Sequence, residues 1–410
     1  MSSWKIYVRR RVGAWRSRLL ANVLPFMPRA AWRLLPGSSA RFGPPRRWQT
    51  WPDYKATHSV GWTSAYPAKS GNFPRPFWPL DGSTKFKDGT GYNWPEAGVA
   101  RLRDARVVTV HGWCVAPHDT FLGDFSFGGN RRNSFVYSLT IHRAPKPLKG
   151  VTLNLCSAHA ATNFCHWLLD AVSRLELFHQ CGFRFEEVDQ ILVPHFPGAT
   201  AAWVLANLDL PKSKLIFPAV RDQFLCETLL QPSYPGFVAS YPPWVVDFYR
   251  RHFPAPQVEQ KRLLYIPRKG KRGLVNEAVV EEELRKRGFE TFEPAGQTDL
   301  HVKLADVSHI VGVHGAALAN LVFCRPGTRV LELLPSDTPW PFYFSLCSSG
   351  NMPYGVIIGK SLRERKRKIE VPTNAPLSVP LNELRRALDV LLSTSVQSSS
   401  APAPAGMRSV

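Results

Sequence analysis

The spacing of apolar residues predicts a regular alternation of strands and helices in the second half of the chain. The predicted elements are strand 262–266, helix 276–287, strand 289–292, helix 300–305, strand 308–313, helix 316–323 and strand 328–334. Each strand is a short apolar run, and each helix carries apolar residues at spacings of three and four. This alternation is typical of a parallel sheet with helices on both faces.

The first half of the chain shows a weaker pattern of the same kind. Its predicted elements are a strand beginning at residue 106, strands at 134–141, 151–155 and 190–193, and helices at 163–181 and 201–208. A proline-rich stretch at 231–256, with a connecting helix near 244–251, separates the halves. The fold class is therefore α/β, with two halves that leave a cleft between them.

Length and composition are consistent with two ordinary domains, because 410 residues with 44% hydrophobic content can supply two cores. The predicted divisions are a basic arm at 1–52, an irregular extension at 53–105, a first α/β domain at 106–250, a second at 257–375 and a disordered tail at 393–410. The seven cysteines are scattered and form no Cys-x-x-Cys pair. We expect mostly buried free thiols in a reducing compartment.

The formal charge of +21 is concentrated in segments, with eleven Lys or Arg and no Asp or Glu in residues 1–52 and a second basic cluster at 363–368. Within the arm, Trp4, Val8, Val12 and Trp15 form one stripe of a predicted helix. A stripe flanked by arginines favours docking on an anionic membrane surface through residues 1–27. An organelle-targeting segment and a solvated tail are the alternatives, and no transmembrane segment is predicted.

The end of strand 308–313 is a candidate anion-binding turn. His314, Gly315 and Ala316 follow this strand and begin the next helix. Ligands of open parallel sheets bind beyond the carboxyl ends of the strands, and a helix N-terminus presents unpaired N–H groups to an anion. We expect Gly315 to let a pyrophosphate approach the backbone; the alternative is that the glycine serves the tight turn alone.

Polar residues near two other strands of this half favour the same edge of the sheet. Strand 262–266 delivers Arg268, and Arg272 and Asn276 follow before the next helix. Arginine forks suit diphosphate oxygens, although a solvated basic loop would have the same composition. Glu332 is a lone carboxylate in an apolar strand, which predicts hydrogen bonds to ribose hydroxyls or a structural partner among the arginines.

In the first half, four polar residues share one predicted helix face, and they are Asn163, His166, Asp170 and Arg174. A histidine beside an aspartate can deprotonate an acceptor hydroxyl, whereas the alternative is an ordinary solvent face. Another group, His111, His118, Asp119 and Asp124, has a spacing that matches no metal-ligand pattern. The sequence also contains no Asp-x-Asp motif, so no metal site is predicted.

Five segments together resemble, in order, the motifs of glycosyltransferase family 61. They are NFCHWLLDAVSR, YIPRKGKRGLVNE, the glutamine at 297, VGVHGAALANLVF and VLELLP. The resemblance implies a GT-B architecture of two Rossmann-like domains and inverting transfer from a nucleotide-sugar, commonly a UDP-sugar, without an essential metal or other cofactor. It assigns Arg268, Arg272, His314, Gly315, Ala316 and Asn320 to the diphosphate and base, Glu332 to the ribose, and Asp170, helped by His166, to the general base.

The resemblance is closest to bacterial members of the family, which are associated with capsular and other surface polysaccharides. It implies a glycan acceptor, with Asn163 and Arg174 on the acceptor side, and a cytoplasmic protein peripheral to the inner membrane face. A catalytically silent nucleotide- or glycan-binding protein of the same fold is the alternative. A nucleic-acid partner is not expected, because the chain lacks the interleaved aromatic and basic strand motif of common RNA-binding modules.

Overall fold

The computed structural model describes residues 42–43, 45–79, 86, 90–125, 144–236, 240–337, 340–362 and 375–393. The predicted amphipathic helix of the N-terminal arm, the strand at 134–141, the basic cluster at 363–368 and the tail beyond Ser393 lie outside these residues. The described chain is a mixed α/β structure built on two large sheets.

The strands are β1 Arg47–Gln49, β2 Gly61–Tyr66, β3 Lys69–Asn72, β4 Gly91–Trp94, β5 Ala97–Val108, β6 Trp113–Ala116, β7 Thr120–Leu122, β8 Lys146–Asn154, β9 Gln190–Leu192, β10 Leu215–Ile216, β11 Gln223–Pro232, β12 Arg262–Ile266, β13 Glu290–Thr291, β14 Val307–Val313, β15 Arg329–Pro335, β16 Tyr354–Ser361 and β17 Leu377–Ser378. The α-helices are α1 Trp51–Thr57, α2 Phe164–His166, α3 Leu175–Gln180, α4 Ala199–Ala206, α5 Pro243–His252, α6 Glu277–Lys286, α7 Leu300–Lys303, α8 Phe342–Ser349 and α9 Leu381–Ser393.

The first sheet contains nine described strands in the order β1-β7-β6-β5-β11-β8-β9-β10, with β2 also paired to β5. It is parallel from β11 through β8 and β9 to β10, and antiparallel where β5 meets β11, β6 and β2. The predicted α/β half is therefore a mixed sheet. Only its parallel part resembles the doubly wound pattern that the sequence suggested.

The prediction of an irregular extension at 53–105 was wrong, since β2, β3, β4 and most of β5 lie in that stretch. In β5, charged residues at 101, 103 and 104 occupy exposed positions while the flanking positions are buried. The predicted domain start at 106 therefore lies inside a strand. The described end of the basic arm also belongs to the first sheet, because β1 pairs in parallel with β7.

The second sheet has the order β13-β12-β14-β15-β16-β17, and its strands are parallel apart from β17. This confirms the parallel sheet predicted from the second half. Numbered along the chain from β12, its first five strands run 2-1-3-4-5, so the strand order reverses between β12 and β14. Ligands of such sheets bind in the crevice beyond the carboxyl ends of the strands at this point of reversal.

Both faces of the second sheet are buried at its central strands β14 and β15, which explains why these strands are continuous apolar runs in the sequence. Ile310 on β14 packs into a large core that also contains Leu153 on β8 and Phe248 on α5. The neighbouring Val311 packs into a separate core with Leu388 on α9. The larger core therefore contains residues of both sheets, and its packed side chains hold the two halves together.

Helix 316–323 has the predicted bounds, but the segment Ala316–Phe323 is a 3-10 helix. The stretch predicted as one helix at 163–181 is also irregular. It runs from α2 through a π-helical turn, Trp167–Ala171, and a 3-10 turn, Val172–Arg174, into α3. Single π-helical turns occur often at functional sites.

All seven cysteines are free and six are buried, as the sequence predicted. No helix within the described ranges has the length and apolar character needed to cross a bilayer.

Candidate active site

Arg268 and His314 meet at the point where the strand order of the second sheet reverses. The strands β12 and β14 are neighbours, with Ile266 in register with Gly312, so the residues that follow both strands leave the sheet side by side. One guanidinium nitrogen of Arg268 donates to the His314 carbonyl, and its Nε donates to the Lys271 carbonyl at 2.7 Å. The predicted proximity of these two segments is therefore present.

Gly315 makes room for Arg268. A Cβ atom added at Gly315 would lie 2.2 Å from Nη1 of Arg268, so any side chain there would force the guanidinium group to move. The backbone of Gly315 is extended, with φ 174°, so the glycine is required by this contact and not by a left-handed conformation. The space that the sequence analysis gave to a pyrophosphate is occupied by a guanidinium group that can itself bind the anion.

Arg268 and Arg272 form a pair of positive charges without a carboxylate partner in the described part of the chain. Burial, with the charge of Arg272 nearby, lowers the pKa of Arg268 to about 10, so it stays charged at neutral pH. The Nε atom of Arg272 is buried and has no hydrogen-bond partner among the described residues. Two half-buried guanidinium groups that lack a carboxylate partner among the described residues are suited to bind a diphosphate.

His314 is held by Glu332. Its Nδ1 lies 2.5 Å from Oε1 of Glu332, and the other carboxylate oxygen accepts a hydrogen bond from the Tyr354 hydroxyl. Glu332 is fully buried and His314 is 6% exposed. Since both oxygens of Glu332 are engaged, the carboxylate does not present an oxygen to a ribose, and its structural partner is a histidine and not an arginine. Glu332 reaches a ligand only through the orientation of His314.

A second histidine–carboxylate pair lies on the helical segment of the first half. Nδ1 of His166 lies 2.6 Å from Oδ2 of Asp170, which also accepts from the Tyr234 hydroxyl at 3.0 Å. The other oxygen, Oδ1, accepts from the Tyr241 hydroxyl at 2.9 Å. Asp170 belongs to the π-helical turn and is fully buried, whereas 14% of the His166 side chain is exposed.

This geometry reverses the predicted roles, in which Asp170 was the general base and His166 its helper. Asp170 is enclosed by three donors and is not exposed, so it cannot contact an acceptor hydroxyl. A carboxylate only accepts hydrogen bonds, so it keeps a proton on Nδ1 of His166 and leaves the basic lone pair on Nε2. His166 is therefore the member of the pair suited to act as a base, and Asp170 orients it.

Two adjacent aromatic residues of α8 connect the two pairs. The ring of Phe342 lies edge-on to His166, with centroids 6.5 Å apart, and the ring of Tyr343 lies edge-on to His314 at 5.5 Å. The Tyr343 hydroxyl donates to the Gly315 carbonyl at 2.6 Å. The candidate base of the first half and the cationic group of the second are thus brought to one site.

The predicted acceptor-side residues have structural contacts. The Asn163 side chain caps α2 by accepting from the Cys165 backbone N–H at 3.0 Å. Arg174 is fully buried, and its guanidinium donates to the carbonyls of Cys156 and Phe125. Burial lowers the pKa of Arg174 to about 10. Both the acceptor role of Arg174 and its alternative, an exposed helix face, conflict with this burial.

The remaining predicted residues divide between the site and the scaffold. Asn276 exchanges hydrogen bonds with the Val379 backbone in both directions, so its amide links α6 to the chain before α9 and is not available to a nucleotide. Ala316 is half-buried at the start of the 3-10 helix. Asn320 donates to the Ala317 carbonyl at 2.8 Å, while its Oδ1 is buried without a partner among the described residues.

The His and Asp residues at 111, 118, 119 and 124, whose spacing matches no metal-ligand pattern, do not form a cluster. Asp119 forms an ion pair with Arg106 at 3.0 Å, and Asp124 accepts from the Trp51 backbone N–H at 2.6 Å. Within the described residues, no three His, Cys, Asp or Glu side chains are grouped as metal ligands would be. His111 instead lies near His159, with ring centroids 6.2 Å apart.

Sequence reasoning missed several residues of the site, and they are His159, Tyr234, Tyr241, Tyr343 and Tyr354. His159 lies beside His166, with ring centroids 5.5 Å apart. Each tyrosine reaches the site from another element, so spacing along the chain carries no signal for it. Tyr234 and Tyr241, which donate to Asp170, lie in the short stretch between β11 and α5. Only the tertiary fold brings their hydroxyl groups to the carboxylate.

Comparison with known proteins agrees with this site. Residues 164–331 match the family model of glycosyltransferase 61, a range that contains His166, Asp170, Arg268 and His314. A stretch of 98 residues, 23% of this chain, is 30% identical to the xylan glycosyltransferase MUCI21 of Arabidopsis thaliana. The aligned stretch spans 20% of the length of that relative. The segment 164–331 therefore matches glycosyltransferase family 61, which confirms the resemblance found in the motifs.

Proposed function

We propose that this protein transfers a sugar from a nucleotide-sugar, most simply a UDP-sugar, to a hydroxyl group of a glycan, with inversion at the anomeric carbon. One observation carries the proposal. Phe342 and Tyr343 bring the His166–Asp170 pair and the Arg268–His314 group to one site. A base and an anion-binding group are the two functions that such a transfer requires.

In the proposed reaction, Nε2 of His166 removes the proton of the acceptor hydroxyl as its oxygen attacks the anomeric carbon. The bond between that carbon and the diphosphate oxygen breaks, and the bonding electrons leave with the nucleotide diphosphate. The proton stays on His166 until solvent removes it, and Asp170 stabilises the imidazolium. A single displacement from the opposite face inverts the configuration.

The leaving diphosphate gains negative charge, which Arg268 and Arg272 are placed to stabilise. His314, oriented by Glu332, adds a donor on the same side. These groups supply the positive charge that a divalent cation supplies in other sugar-nucleotide sites. We therefore propose turnover without a resident metal or other cofactor, so that chelation of divalent cations leaves the rate unchanged.

The acceptor is proposed to be a polysaccharide, since the relative with a similar segment is described as a xylan glycosyltransferase. Synthesis of a capsular or other surface polysaccharide on the cytoplasmic face of the inner membrane is the setting we propose. There the basic arm, through residues 1–27, would hold the protein on anionic lipid. Flotation of the full chain with vesicles containing phosphatidylglycerol tests this part, and binding that persists after removal of those residues contradicts it.

The catalytic proposal is tested by incubating the full chain with a panel of nucleotide-sugars, with and without a polysaccharide extract, and measuring released nucleotide. We expect release with one donor class, and its loss in His166→Asn. His179→Asn is the matched control, because His179 is an exposed histidine of the same helical stretch. Donor binding without turnover would instead identify a silent nucleotide-binding protein, and no binding of any donor would overturn the proposal.

A further inference from the structure

A cavity of about 450 Å³ lies beside the candidate active site, between α1, the end of β1 and the 3-10 turn Gly123–Phe125. Its lining residues include Trp48, Trp51, Lys55, Glu96 and Asp124. Its volume is within the range of small-molecule sites, and its combination of apolar surface with a few polar groups is typical of them. None of the residues that have a role in the proposed sugar transfer lines this cavity.

Two polar atoms of the lining have no protein partner. Trp51 is 5% exposed, and its indole Nε1–H has no hydrogen-bond acceptor among the described residues. Oδ1 of Asp124 is likewise buried and unpaired within the described chain, while Oδ2 accepts from the Trp51 backbone N–H at 2.6 Å. Leaving a buried donor and a buried acceptor unpaired is costly, so a ligand that satisfies both is favoured.

A donor, an acceptor and the half-buried indole ring of Trp48 together match the chemistry of a sugar, while the Trp51 ring is packed against Trp62 and Phe125. Sugar hydroxyls both donate and accept, which suits Asp124 and Trp51, and the C–H face of a pyranose packs on an aromatic ring. The cavity also favours a neutral ligand. Asp124 would repel an anion, and the charge of Lys55 is directed to Glu96, whose carboxylate lies 3.5 Å away.

A single side chain separates the cavity from Asp170, the residue that orients the candidate base. Tyr234 lines the cavity and donates its hydroxyl to Asp170. Phe125, also in the lining, accepts a hydrogen bond from Arg174, whose guanidinium lies 5.7 Å from the Tyr234 ring centroid. A glycan held in the cavity is therefore close to the residue that orients His166.

We propose that this cavity binds a neutral sugar unit of the acceptor glycan, remote from the hydroxyl that reacts. The inference rests on the proposed transferase function and adds to it a specificity-determining subsite formed by Trp48, Trp51 and Asp124. It makes acceptor binding separable from donor binding, because none of these three residues contacts the Arg268–His314 group in the described structure.

Calorimetric titration tests the proposal on the full chain without any donor present. The probes are hexamers of glucose, xylose, mannose, galactose and N-acetylglucosamine, with hexamers of galacturonate as the acidic comparison. We expect at least one neutral hexamer to bind and galacturonate to bind at least tenfold more weakly. Trp51→Phe, which keeps a ring and deletes the N–H group, should weaken binding about tenfold, and Trp48→Ala should weaken it further.

The matched control is Trp203→Phe, a half-buried tryptophan on α4 outside the cavity, which should bind as the unaltered protein does. In the transfer assay, the cavity variants should raise KM for the acceptor and leave donor affinity and donor hydrolysis unchanged. Absence of binding by every neutral hexamer, or binding unaffected by both cavity substitutions, overturns the subsite. Donor hydrolysis without such binding leaves the transferase proposal standing, whereas absence of donor turnover counts against that proposal alone.

Discussion

Asp170→Asn tests whether the buried carboxylate orients the proposed base. The carboxylate accepts from His166, Tyr234 and Tyr241 at 2.6, 3.0 and 2.9 Å. An amide of the same shape has only one oxygen, so its NH₂ group must face at least one of these donors. The proton on Nδ1 of His166 then loses its charged acceptor, and the tautomer with the basic lone pair on Nε2 is no longer enforced.

The magnitude follows from the contribution of a positioned base. General-base catalysis contributes roughly 10²- to 10⁴-fold to rate, which corresponds to about 3–5 kcal/mol of activation free energy. We therefore expect kcat of Asp170→Asn to fall by about 10²-fold or more, with donor affinity within about threefold of the original. The free energy of unfolding should fall by roughly 1 kcal/mol for each charge-assisted hydrogen bond that becomes neutral.

Initial rates of nucleotide release measure the first effect, calorimetric titration with donor the second, and urea unfolding the third. Tyr241→Phe is the control, because it removes one donor to Asp170 and leaves the contact with His166 in place. Its kcat should fall by less than about tenfold, or roughly 1.4 kcal/mol, since the lost bond is one charge-assisted hydrogen bond to Asp170 and the contact that orients His166 remains. If Asp170→Asn turns over within threefold of the unaltered protein while His166→Asn is inactive, Asp170 does not orient the base.

Three further outcomes follow from other contacts. Gly315→Ala places a Cβ 2.2 Å from Nη1 of Arg268. Donor binding should weaken about tenfold, or about 1.4 kcal/mol, in calorimetric titration. An unchanged affinity would show that Arg268 does not bind the donor. Glu332→Gln should lower the free energy of unfolding measured in urea by roughly 2 kcal/mol, because a buried charged acceptor becomes neutral. A change below about 0.5 kcal/mol, which is typical of surface substitutions, would contradict this. Burial, with His159 nearby, lowers the pKa of His111 to about 4, below its ordinary value of 6.5. Its neutral form therefore stabilises the fold above pH 6.5, that contribution is lost as pH falls towards 4, and His111→Asn should flatten the decline of Tm over this interval, whereas identical Tm profiles would refute the assignment.

The second sheet was predictable because its central strands are covered on both faces. Val307–Val313 is buried at every position, so burial left a continuous apolar run that the sequence displays directly. By contrast, β5 carries Arg101, Arg103 and Asp104 on exposed positions, and this mixed composition was interpreted as irregular. Similarly, β11 ends at Pro232, and the prolines that follow it were interpreted as a linker although the strand pairs with both β5 and β8.

The candidate site was predictable where its partners are close along one helix. His166 and Asp170 are four residues apart, a spacing that places side chains together on a helix. The two tyrosines that complete the environment of Asp170 are 64 and 71 residues away, and only the tertiary fold brings them there. The burial of Arg174 was equally invisible in the sequence, as was the pairing of Glu332 with His314 and Tyr354.

Phe342 and Tyr343 are consecutive residues, so a single peptide unit of α8 sets the spacing between the rings that contact the two histidines. The Phe342 ring contacts His166 and the Tyr343 ring contacts His314. The start of α8 therefore fixes the separation between the proposed base and the proposed leaving-group site. Consecutive Cα atoms are separated by about 3.8 Å, and inserting one residue between these aromatics would rotate one ring away from its histidine. Recombination between members of the family should therefore tolerate exchange of the second sheet only when α8 is inherited together with the segment that carries His166.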